Sequence, residues 1–394
     1  MTNHELARIL LNDPRLSVFP AGPPASHPER QAAQLYDAIR RDDSFPQSVR
    51  ELIGRYGEEG RLADAFRNPE VIRTLHEQPP GTLSFFYTDP PEHLRLRRIL
   101  APYFSVRRVG ERRARIEQIV SDRLDLMEKI GPPVDFVKVF AQAIPSLVTC
   151  AMFGLPDSEI ETFERLALVR HAADATADDN LAAIRSFHEF GRQLISRKRA
   201  QPGSDMLSAL IADDQLTDEQ LATTAVLLVQ AAHATTAHSL AFSVVSLLRD
   251  RDRWDELKTG SAPINQIVEE LLRFTTIDQS PDVRTALEDI EVGGTVIKAY
   301  DNVVVLLSAV NRDPAVFEEP DRLDFTRRAS SHMSFGYGVH QCLGQHLARL
   351  EMEVALTGLA DRFPNLDFAV PLDEIPWYPA DRQLIGPVRV PVTW

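Results

Sequence analysis

The sequence contains only two cysteines, Cys150 and Cys342, among 394 residues. So few cysteines exclude a disulfide-stabilised scaffold and suit a reducing cytoplasm. Positive charge is also scarce, because 43 lysines and arginines face 57 acidic residues and give a formal net charge of −14. This balance argues against nucleic acid or an anionic membrane as a partner.

Long hydrophobic runs are missing as well. The most apolar one, residues 222–248, is interrupted by Gln230, His233 and His238, and such polar side chains are rare in a membrane-spanning helix. The first residues lack the basic and apolar segments of a signal peptide, and we find no internal repeats. With 44% apolar and 25% charged residues, the sequence predicts a globular protein of the cytoplasm that binds neither nucleic acid nor a membrane.

What the sequence does contain is the glycine-rich segment 332–344. In it Gly336 and Gly338 precede Cys342, and Gly344 follows. Apolar residues then recur at helical spacing, which predicts a helix directly after the cysteine. Cys342 therefore lies just ahead of a helix N-terminus, where backbone N–H groups and the helix dipole favour a thiolate. Gly344 leaves room for a flat ligand to approach the backbone.

The two cysteines differ in their surroundings. Cys150 lies in an apolar, helix-like run, as expected of a cysteine that serves as a small buried hydrophobic residue. Cys342 is flanked by glycines and histidines, and residues 335–344 read F-G-x-G-x-H-x-C-x-G. This pattern resembles the heme-binding signature of the cytochrome P-450 family, and every position of that signature is present.

The resemblance implies a mainly α-helical (α+β) fold of the cytochrome P-450 type, a large helical domain with small β-sheets. It implies a single domain over residues 1–394. Residues 89–394 carry the motifs of the family in order, with the heme loop at 332–344. Residues 1–88 are atypical.

The same resemblance implies the cofactor and its contacts in the loop. The cofactor would be heme b, an iron protoporphyrin, with the Cys342 thiolate as the axial ligand of the iron. Phe335 would shield the sulfur, and Gly344 would admit the porphyrin. His332, at the start of the loop, would be a further cofactor contact.

Two other segments would hold the heme propionates. Asp89 and the prolines that follow it predict the start of a helix, on which His93 and Arg97 lie four residues apart on one face. A solvated basic face would give the same pattern. The family, however, uses an H-x-x-x-R pair here to bind propionates, and by the same resemblance Arg284 and His340 would complete the set.

The longest predicted helix would form the oxygen-binding side of the heme. Thr217 and Gln220 form a capping box, and the helix that follows extends to about Arg249. It is apolar nearly all round, which predicts that it is buried.

Midway along this helix, residues 231–236 read A-A-H-A-T-T and resemble the oxygen-binding motif A-G-x-[D/E]-T-T of the family. Thr235 has the spacing to donate a hydrogen bond to the Ala231 carbonyl. The acid that helps to deliver protons in the family is replaced by Ala234, and general acid catalysis typically contributes about 10²–10⁴-fold. Protons would come from His233, Thr235 and water, or from the substrate. Otherwise the enzyme would use peroxide or couple two radicals.

A third motif, Glu270-x-x-Arg273, lies in a predicted helix. An exposed pair with this spacing contributes only about 0–1 kcal/mol. The family instead buries its E-x-x-R pair and braces it with an arginine from a later loop, which corresponds to Arg322. We therefore expect Glu270, Arg273 and Arg322 to support the cysteine loop structurally.

The N-terminal region leaves two interpretations open. Residues 13–17 resemble a family segment that normally lies shortly before Asp89, although here more than seventy residues separate the two. Alternatively, residues 32–40 resemble the first helix of the family, with the domain beginning near residue 28. Residues 49–76 read as helical where the family usually has a β-hairpin.

Elsewhere the sequence predicts strands and a helical lid. The lid is a helical pair over residues 157–200. The predicted strands occupy residues 283–286, 290–297 (a hairpin that turns at Gly293-Gly294), 302–309, 366–370 and 384–392.

The function implied is that of a heme-thiolate monooxygenase. It would oxidise a small apolar organic molecule of the secondary-metabolite type with O₂ and electrons from a ferredoxin. The basic cluster Arg107, Arg108, Arg112 and Arg113 is a candidate docking surface, although a solvated face is the commoner meaning of such a cluster.

Three alternatives remain open. Ala234 favours a peroxide-using or oxidative-coupling member of the same family. A heme-binding protein without turnover is the second alternative. The third is a helical structural protein with a fortuitous motif.

Overall fold

The computed structural model describes residues 2–18, 47–59, 85–155, 177–278, 282–379 and 384–394. Helices dominate these ranges, which confirms the predicted fold class. They are α1 (His4–Leu11), α2 (Gln47–Glu58), α3 (Glu92–Leu100), α4 (Val106–Gly110), α5 (Arg113–Ile130), α6 (Ala143–Phe153), α7 (Ala177–Ala200), α8 (Met206–Ala212), α9 (Asp218–Arg249), α10 (Arg251–Thr259), α11 (Ile264–Thr275), α12 (Leu307–Val310) and α13 (Gln345–Arg362).

The strands are short, antiparallel and grouped in small sheets. One sheet has the order β1-β3-β6, a second has the order β2-β8-β7, and β4 and β5 form the predicted hairpin. Their bounds are β1 (Leu16–Ser17), β2 (Val134–Asp135), β3 (Asp282–Ala286), β4 (Ile290–Val292), β5 (Thr295–Ile297), β6 (Asn302–Val305), β7 (Asp367–Phe368) and β8 (Pro391–Thr393).

Helix α9 is the axis of the main hydrophobic core. Its 32 residues span roughly 48 Å at 1.5 Å per residue. The predicted capping box is present, because the Gln220 N–H donates to Thr217 Oγ1 at 3.2 Å and the Thr217 N–H donates to Gln220 Oε1 at 3.1 Å. Helices α6, α7, α11 and α13 pack against α9, so its middle lies inside the protein.

Helix α1 packs on the smaller core, beneath the sheet of β1, β3 and β6. The predicted domain start near residue 28 is wrong, because this helix already buries Ala7 and Leu10. Residues 32–40 lie outside the described residues. The alternative placement of residues 13–17 is the better one, since Ser17 Oγ donates to Asp89 Oδ2 at 2.5 Å. The segment thus lies next to the start of α3 in space, although it is distant along the chain.

One further prediction needs correction, and two others fall only partly within the described residues. The strand predicted for residues 302–309 ends at Val305, and a helical turn, α12, follows it. This turn leads into Asn311, which is fully buried and donates from Nδ2 to Thr276 Oγ1 at 2.8 Å and to Ser334 Oγ at 2.9 Å. Of the predicted lid pair, the described residues include only α7. Of the helical stretch predicted for residues 49–76, they include only the part within α2.

Among the described helices, none combines the length and the apolar character that crossing a membrane would require.

Candidate heme-thiolate site

The cysteine loop is folded into a tight turn against α1. The Cys342 N–H donates to the Phe335 carbonyl at 2.8 Å, and Gly336 and Gly338 have φ values of 70° and 76°. A Cβ on Gly338 would lie 2.5 Å from the carbonyl oxygen of Leu11. Glycine at 338 is therefore required both by its left-handed backbone and by the close approach of α1.

Cys342 lies just before α13, as predicted, with Gly344 at the N-cap of the helix. Burial raises the pKa of the Cys342 thiol, although the N–H groups of Gly344 and Gln345 and the guanidinium groups of Arg97 and Arg349 act in the opposite direction. The expected preference for a thiolate is thus outweighed by desolvation in the protein alone. A metal cation bound to the sulfur reverses this balance, because a coordinating thiol is deprotonated outright.

Four cationic or titratable side chains converge beside the cysteine. Burial, with the nearby charges of His93, Arg284 and Arg97, lowers the pKa of His340 to about 3. Burial also lowers the pKa of Arg97, while its proximity to Cys342 acts to raise it. Arg284 comes from β3 and is buried. The structure therefore brings together all four predicted propionate contacts from α3, β3 and the loop.

His93 also has partners within the protein. Its Nδ1 lies 3.2 Å from the Phe85 carbonyl and its Nε2 lies 2.9 Å from the Val339 carbonyl, so both ring nitrogens already face backbone acceptors. Its ring also stacks on Phe85 and lies tilted against His340, with centroid distances of 4.6 and 3.8 Å. In this arrangement His93 contacts the loop through Val339 and His340, and its role as a propionate contact stays a prediction.

His332 also lies away from its expected place. Its side chain is buried beneath the loop, with Nε2 3.2 Å from Glu269 Oε2, and its Nδ1 accepts from the Ser334 N–H at 3.1 Å. These partners turn the imidazole towards α11. The expected direct contact of His332 with the cofactor is therefore not what this geometry provides.

The side chains around Cys342 are chemically suited to hold a heme. Among the residues that the structure describes, the half-buried guanidinium of Arg97 makes no hydrogen bond or ion pair, and the buried Nε2 of His340 has no hydrogen-bond partner. A carboxylate satisfies such groups. Cys342 is exposed to solvent although desolvation raises the pKa of its thiol, so its sulfur is open to a ligand. No protein atom lies within 4 Å of the position that a Cβ on Gly344 would take, so a flat ligand has room there.

On α9, the predicted back-bond of Thr235 is confirmed, because its Oγ1 donates to the Ala231 carbonyl at 2.6 Å. Thr235 is exposed although its neighbours Ala234 and Thr236 are only 7% and 5% exposed. His233 is buried. The threonine is therefore the residue of this motif whose side chain opens to solvent inside an otherwise buried helix.

The Glu270–Arg273 pair is fully buried, with two hydrogen bonds of 2.7 and 2.8 Å between the side chains. The prediction that Arg322 braces this pair is wrong. The Arg322 side chain is exposed and pairs with Glu319 at 3.1 Å, and only its backbone carbonyl accepts from Arg273. The brace is Arg327, whose Nε donates to Glu270 Oε1 at 3.2 Å. The backbone of residues 320–324 already contacts the pair through the Pro320 and Arg322 carbonyls and the Asp324 N–H, and the Arg322 side chain points to solvent.

Besides Arg327, sequence reasoning missed three further residues that shape the site. Arg349 and Glu269 form an ion pair beside Phe335, and Phe85 covers His93. A signal existed for one of them, since Glu269 directly precedes the E-x-x-R motif. No local pattern marked the other two, because their partners come from distant parts of the chain.

Comparisons with known proteins agree with this geometry. The sequence profile of the cytochrome P-450 family matches residues 264–369. The chain is 40% identical over 337 residues to Nocardicin C N-oxygenase of Nocardia uniformis, which covers 84% of this chain and 84% of the relative. It is 42% identical over 331 residues to Pentalenic acid synthase of Streptomyces avermitilis, which covers 82% of this chain and 80% of the relative.

A solved structure also matches this fold. The crystal structure of CYP105P1 in complex with filipin I superposes with a TM-score of 0.83 and 34% sequence identity, covering 100% of this chain and 89% of the other. Fold, motifs and relatives exclude a helical structural protein with a fortuitous motif. The chain belongs to the cytochrome P-450 family of heme-dependent oxidoreductases.

Proposed function

We propose that this protein inserts one oxygen atom of O₂ into a small apolar molecule of the secondary-metabolite type, with heme b as its cofactor and a cytoplasmic ferredoxin as its electron donor. The observation that carries the proposal is a single accessible thiol, Cys342, at a helix N-terminus beside a cluster of cations. When bound there, the heme supplies oxygen activation, and a thiolate ligand favours O–O cleavage by donating electron density.

The cation cluster orients the cofactor. Arg97 and Arg284 bind the two propionates with charge-assisted hydrogen bonds. His340 donates from Nε2, the buried nitrogen that has no protein partner. His93 keeps His340 in place through a tilted ring contact, with the ring centroids 3.8 Å apart. These groups come from α3, β3 and the loop, so residues from three elements far apart in the sequence would hold the propionates.

On the opposite side of the site, Thr235 takes part in proton delivery. Its hydroxyl proton is donated to the Ala231 carbonyl at 2.6 Å, so the oxygen lone pairs face the site as acceptors. Thr235 therefore orders water or a protonated oxygen group without being an acid itself. Ala234 supplies no proton, and the protons that the reaction consumes reach the site through His233 or through water ordered by Thr235.

The electron donor docks near α4, which packs against the cysteine helix α13. Arg107 and Arg108 are exposed there, although both pair with Glu111 at 2.7 and 3.3 Å. An acidic ferredoxin competes with Glu111 for these guanidinium groups. This local patch differs in sign from the chain as a whole, whose net charge is −14.

An absorbance titration of the purified holoprotein with candidate metabolites tests the proposal. An apolar substrate that displaces water near the iron shifts the spin state, and the same compound should be turned over with ferredoxin, reductase and NAD(P)H. If no compound in a broad panel shifts the spectrum or is converted, the monooxygenase assignment fails for this chain.

A second candidate function is favoured by Ala234. Without an acid next to Thr235, the protein could be a peroxide-using or oxidative-coupling member of the family. Product formed with hydrogen peroxide alone, at a rate equal to or above that of the complete electron-transfer chain, identifies this alternative. The variant Ala234→Asp separates the two further: restored acid increases product per NAD(P)H in a monooxygenase, and leaves a peroxide-driven reaction unchanged.

A further inference from the structure

An ion pair lies beneath the cysteine loop, outside the contacts already assigned. Arg349 of α13 binds Glu269 of α11 through two bonds, Nε to Oε1 at 2.5 Å and Nη2 to Oε2 at 3.1 Å. Its Nη1 also donates to Gln345 Oε1 at 3.0 Å. The side chains of Arg349 and Glu269 are only 24% and 19% exposed, so the guanidinium is held in one orientation.

The guanidinium of Arg349 lies over an aromatic ring of the heme loop. The guanidinium carbon of Arg349 is 4.5 Å from the ring centroid of Phe335, which is within the range of a cation–π contact. The Phe335 carbonyl accepts the N–H of Cys342 at 2.8 Å. Arg349 is therefore linked to the cysteine through one aromatic residue and one backbone bond.

His332 completes the arrangement on the other side of Glu269. Because its Nδ1 accepts from the Ser334 N–H, the proton of the neutral ring is on Nε2, which lies 3.2 Å from Glu269 Oε2. This contact does not have the geometry of a hydrogen bond, so the interaction between the two groups is electrostatic. Although burial opposes it, His332 and Arg349 lower the pKa of Glu269 to about 2, and the carboxylate is ionised at any working pH.

The charge of Arg349 acts on the sulfur. Its guanidinium lies over Phe335, whose carbonyl accepts the Cys342 N–H at 2.8 Å, so only one side chain separates the cation from the ligand residue. A cation near the ligand favours the state of the bound group that carries one more electron, since the added charge is partly compensated. Removal of Glu269 would free the guanidinium to turn to solvent, and this effect would be lost.

We propose that Glu269 and His332 fix Arg349 as a positioning residue of the sulfur ligand. Through the face of Phe335 it holds the turn that carries Cys342, and its charge raises the reduction potential of the bound heme. This inference rests on the proposed heme-thiolate function. It adds a residue that sets the potential at which the bound heme accepts an electron.

The test compares Arg349→Gln and Arg349→Lys with Arg362→Gln. Arg362 lies on the same helix and pairs with Asp125 and Glu128 at 2.7 and 2.9 Å, so its variant removes a similar charge away from the loop. For each holoprotein, the reduction potential is measured by spectroelectrochemistry. The rate at which the reduced carbon-monoxide complex loses its thiolate signature is followed by absorbance.

We expect Arg349→Gln to shift the potential to more negative values and to speed loss of the thiolate signature several-fold. Arg349→Lys keeps the positive charge but loses the planar contact with Phe335. Its reduction potential should therefore stay close to the wild-type value, while its thiolate signature should still be lost faster than in the wild type. Arg362→Gln should match the wild type in both measurements. Because these readouts do not depend on turnover, they separate the role of Arg349 from any loss of substrate binding.

The proposal is overturned if Arg349→Gln matches Arg362→Gln in potential and thiolate retention. It is also overturned if Arg349→Gln changes only the KM for the ferredoxin, since Arg349 is then a docking residue. Should Arg349→Gln fail to take up heme, Arg349→Lys decides: faster loss of the thiolate signature than in Arg362→Gln supports the proposal, and an equal rate refutes it. A wild-type protein without any thiolate signature would instead refute the proposed function itself.

Discussion

The two sides of the site are built in different ways. On the cysteine side, the side chains of Glu270, Arg273 and Arg349 bond to partners far away in the sequence. On the oxygen side, the key hydroxyl of Thr235 bonds to the carbonyl four residues earlier, within its own helix. The ligand side is thus fixed by tertiary bonds, whereas the proton side depends on local residues. A substitution such as Ala234 changes the chemistry of the proton side without disturbing its neighbours.

The largest expected effect comes from removing the ligand itself. Cys342→Ser should abolish the thiolate signature of the reduced carbon-monoxide complex and reduce monooxygenase activity to background, because a serine hydroxyl is not deprotonated as a thiol is. The buried Cys150 provides the control, and Cys150→Ala should leave the spectrum unchanged. A normal spectrum in Cys342→Ser would show that another residue is the heme ligand. The contrast between the two sides of the site would then no longer hold.

The next effect concerns the buried pair on the cysteine side. Glu270→Gln leaves the fully buried Arg273 without its counter-ion, which typically costs about 3–5 kcal/mol. The exposed pair of Asp255 and Lys258 has the same i,i+3 spacing, and Asp255→Asn should leave the free energy of unfolding nearly unchanged. Thermal or denaturant unfolding measures both. Equal losses in the two variants would show that burial does not distinguish the pairs.

On the oxygen side, we expect a functional effect without a large change in stability. Thr235→Ala removes the acceptor oxygen and should reduce product formed per NAD(P)H by about 10²-fold, the lower end of proton-transfer catalysis. Thr235→Ser keeps the hydroxyl and its bond to Ala231, so it should retain most of the coupling. If both variants couple as well as the wild type, protons reach the oxygen by a route that avoids this residue.

One acidic residue on the cysteine side, Glu351, differs from the ion-paired residues described above. Glu351 of α13 is 2% exposed, its Oε2 has no hydrogen-bond partner, and burial raises the pKa of this carboxyl to about 8. Between pH 4.5 and 8 the folded protein therefore keeps a proton that the unfolded chain releases, and stability falls as the pH rises.

Glu351→Gln should remove this dependence. We expect near-equal stability of the variant and the wild type at about pH 5, and a relative gain for the variant on the order of 1.4 kcal/mol per pH unit up to about pH 8. Denaturant unfolding across this range measures the difference. A constant difference between the two proteins at all pH values would show that Glu351 ionises normally.

The smallest effect is expected at the outer surface near the cysteine helix. Arg107 and Arg108 are 74% and 53% exposed, and their contribution is screened by salt. The double variant Arg107→Glu with Arg108→Glu should raise the KM for ferredoxin several-fold at low ionic strength and less at high ionic strength. The kcat with saturating donor and the reduction potential should not change. A KM independent of both charge and salt would place the donor on another face.

Much of the site could be predicted because its residues have local signatures. The cysteine signature, the capping box of α9 and the Glu270-x-x-Arg273 motif are all readable from spacing within a few residues. The errors arose where partners are distant. Arg327 takes the place expected for Arg322, and His93 faces the carbonyls of Phe85 and Val339. Which side chain reaches a buried carboxylate depends on the path of a loop, and spacing does not encode that path.

The sequence by itself determined the family, the ligand cysteine, the helix behind it and the long helix opposite, because each follows from residue types at fixed short intervals. Only the tertiary structure decided that α1 packs against Gly338, that Ser17 binds Asp89, and that Arg349 is fixed over Phe335. These contacts join residues that are distant in the chain. Their geometry follows from burial and from the need to satisfy every buried charge, so it arises only when the whole core has formed.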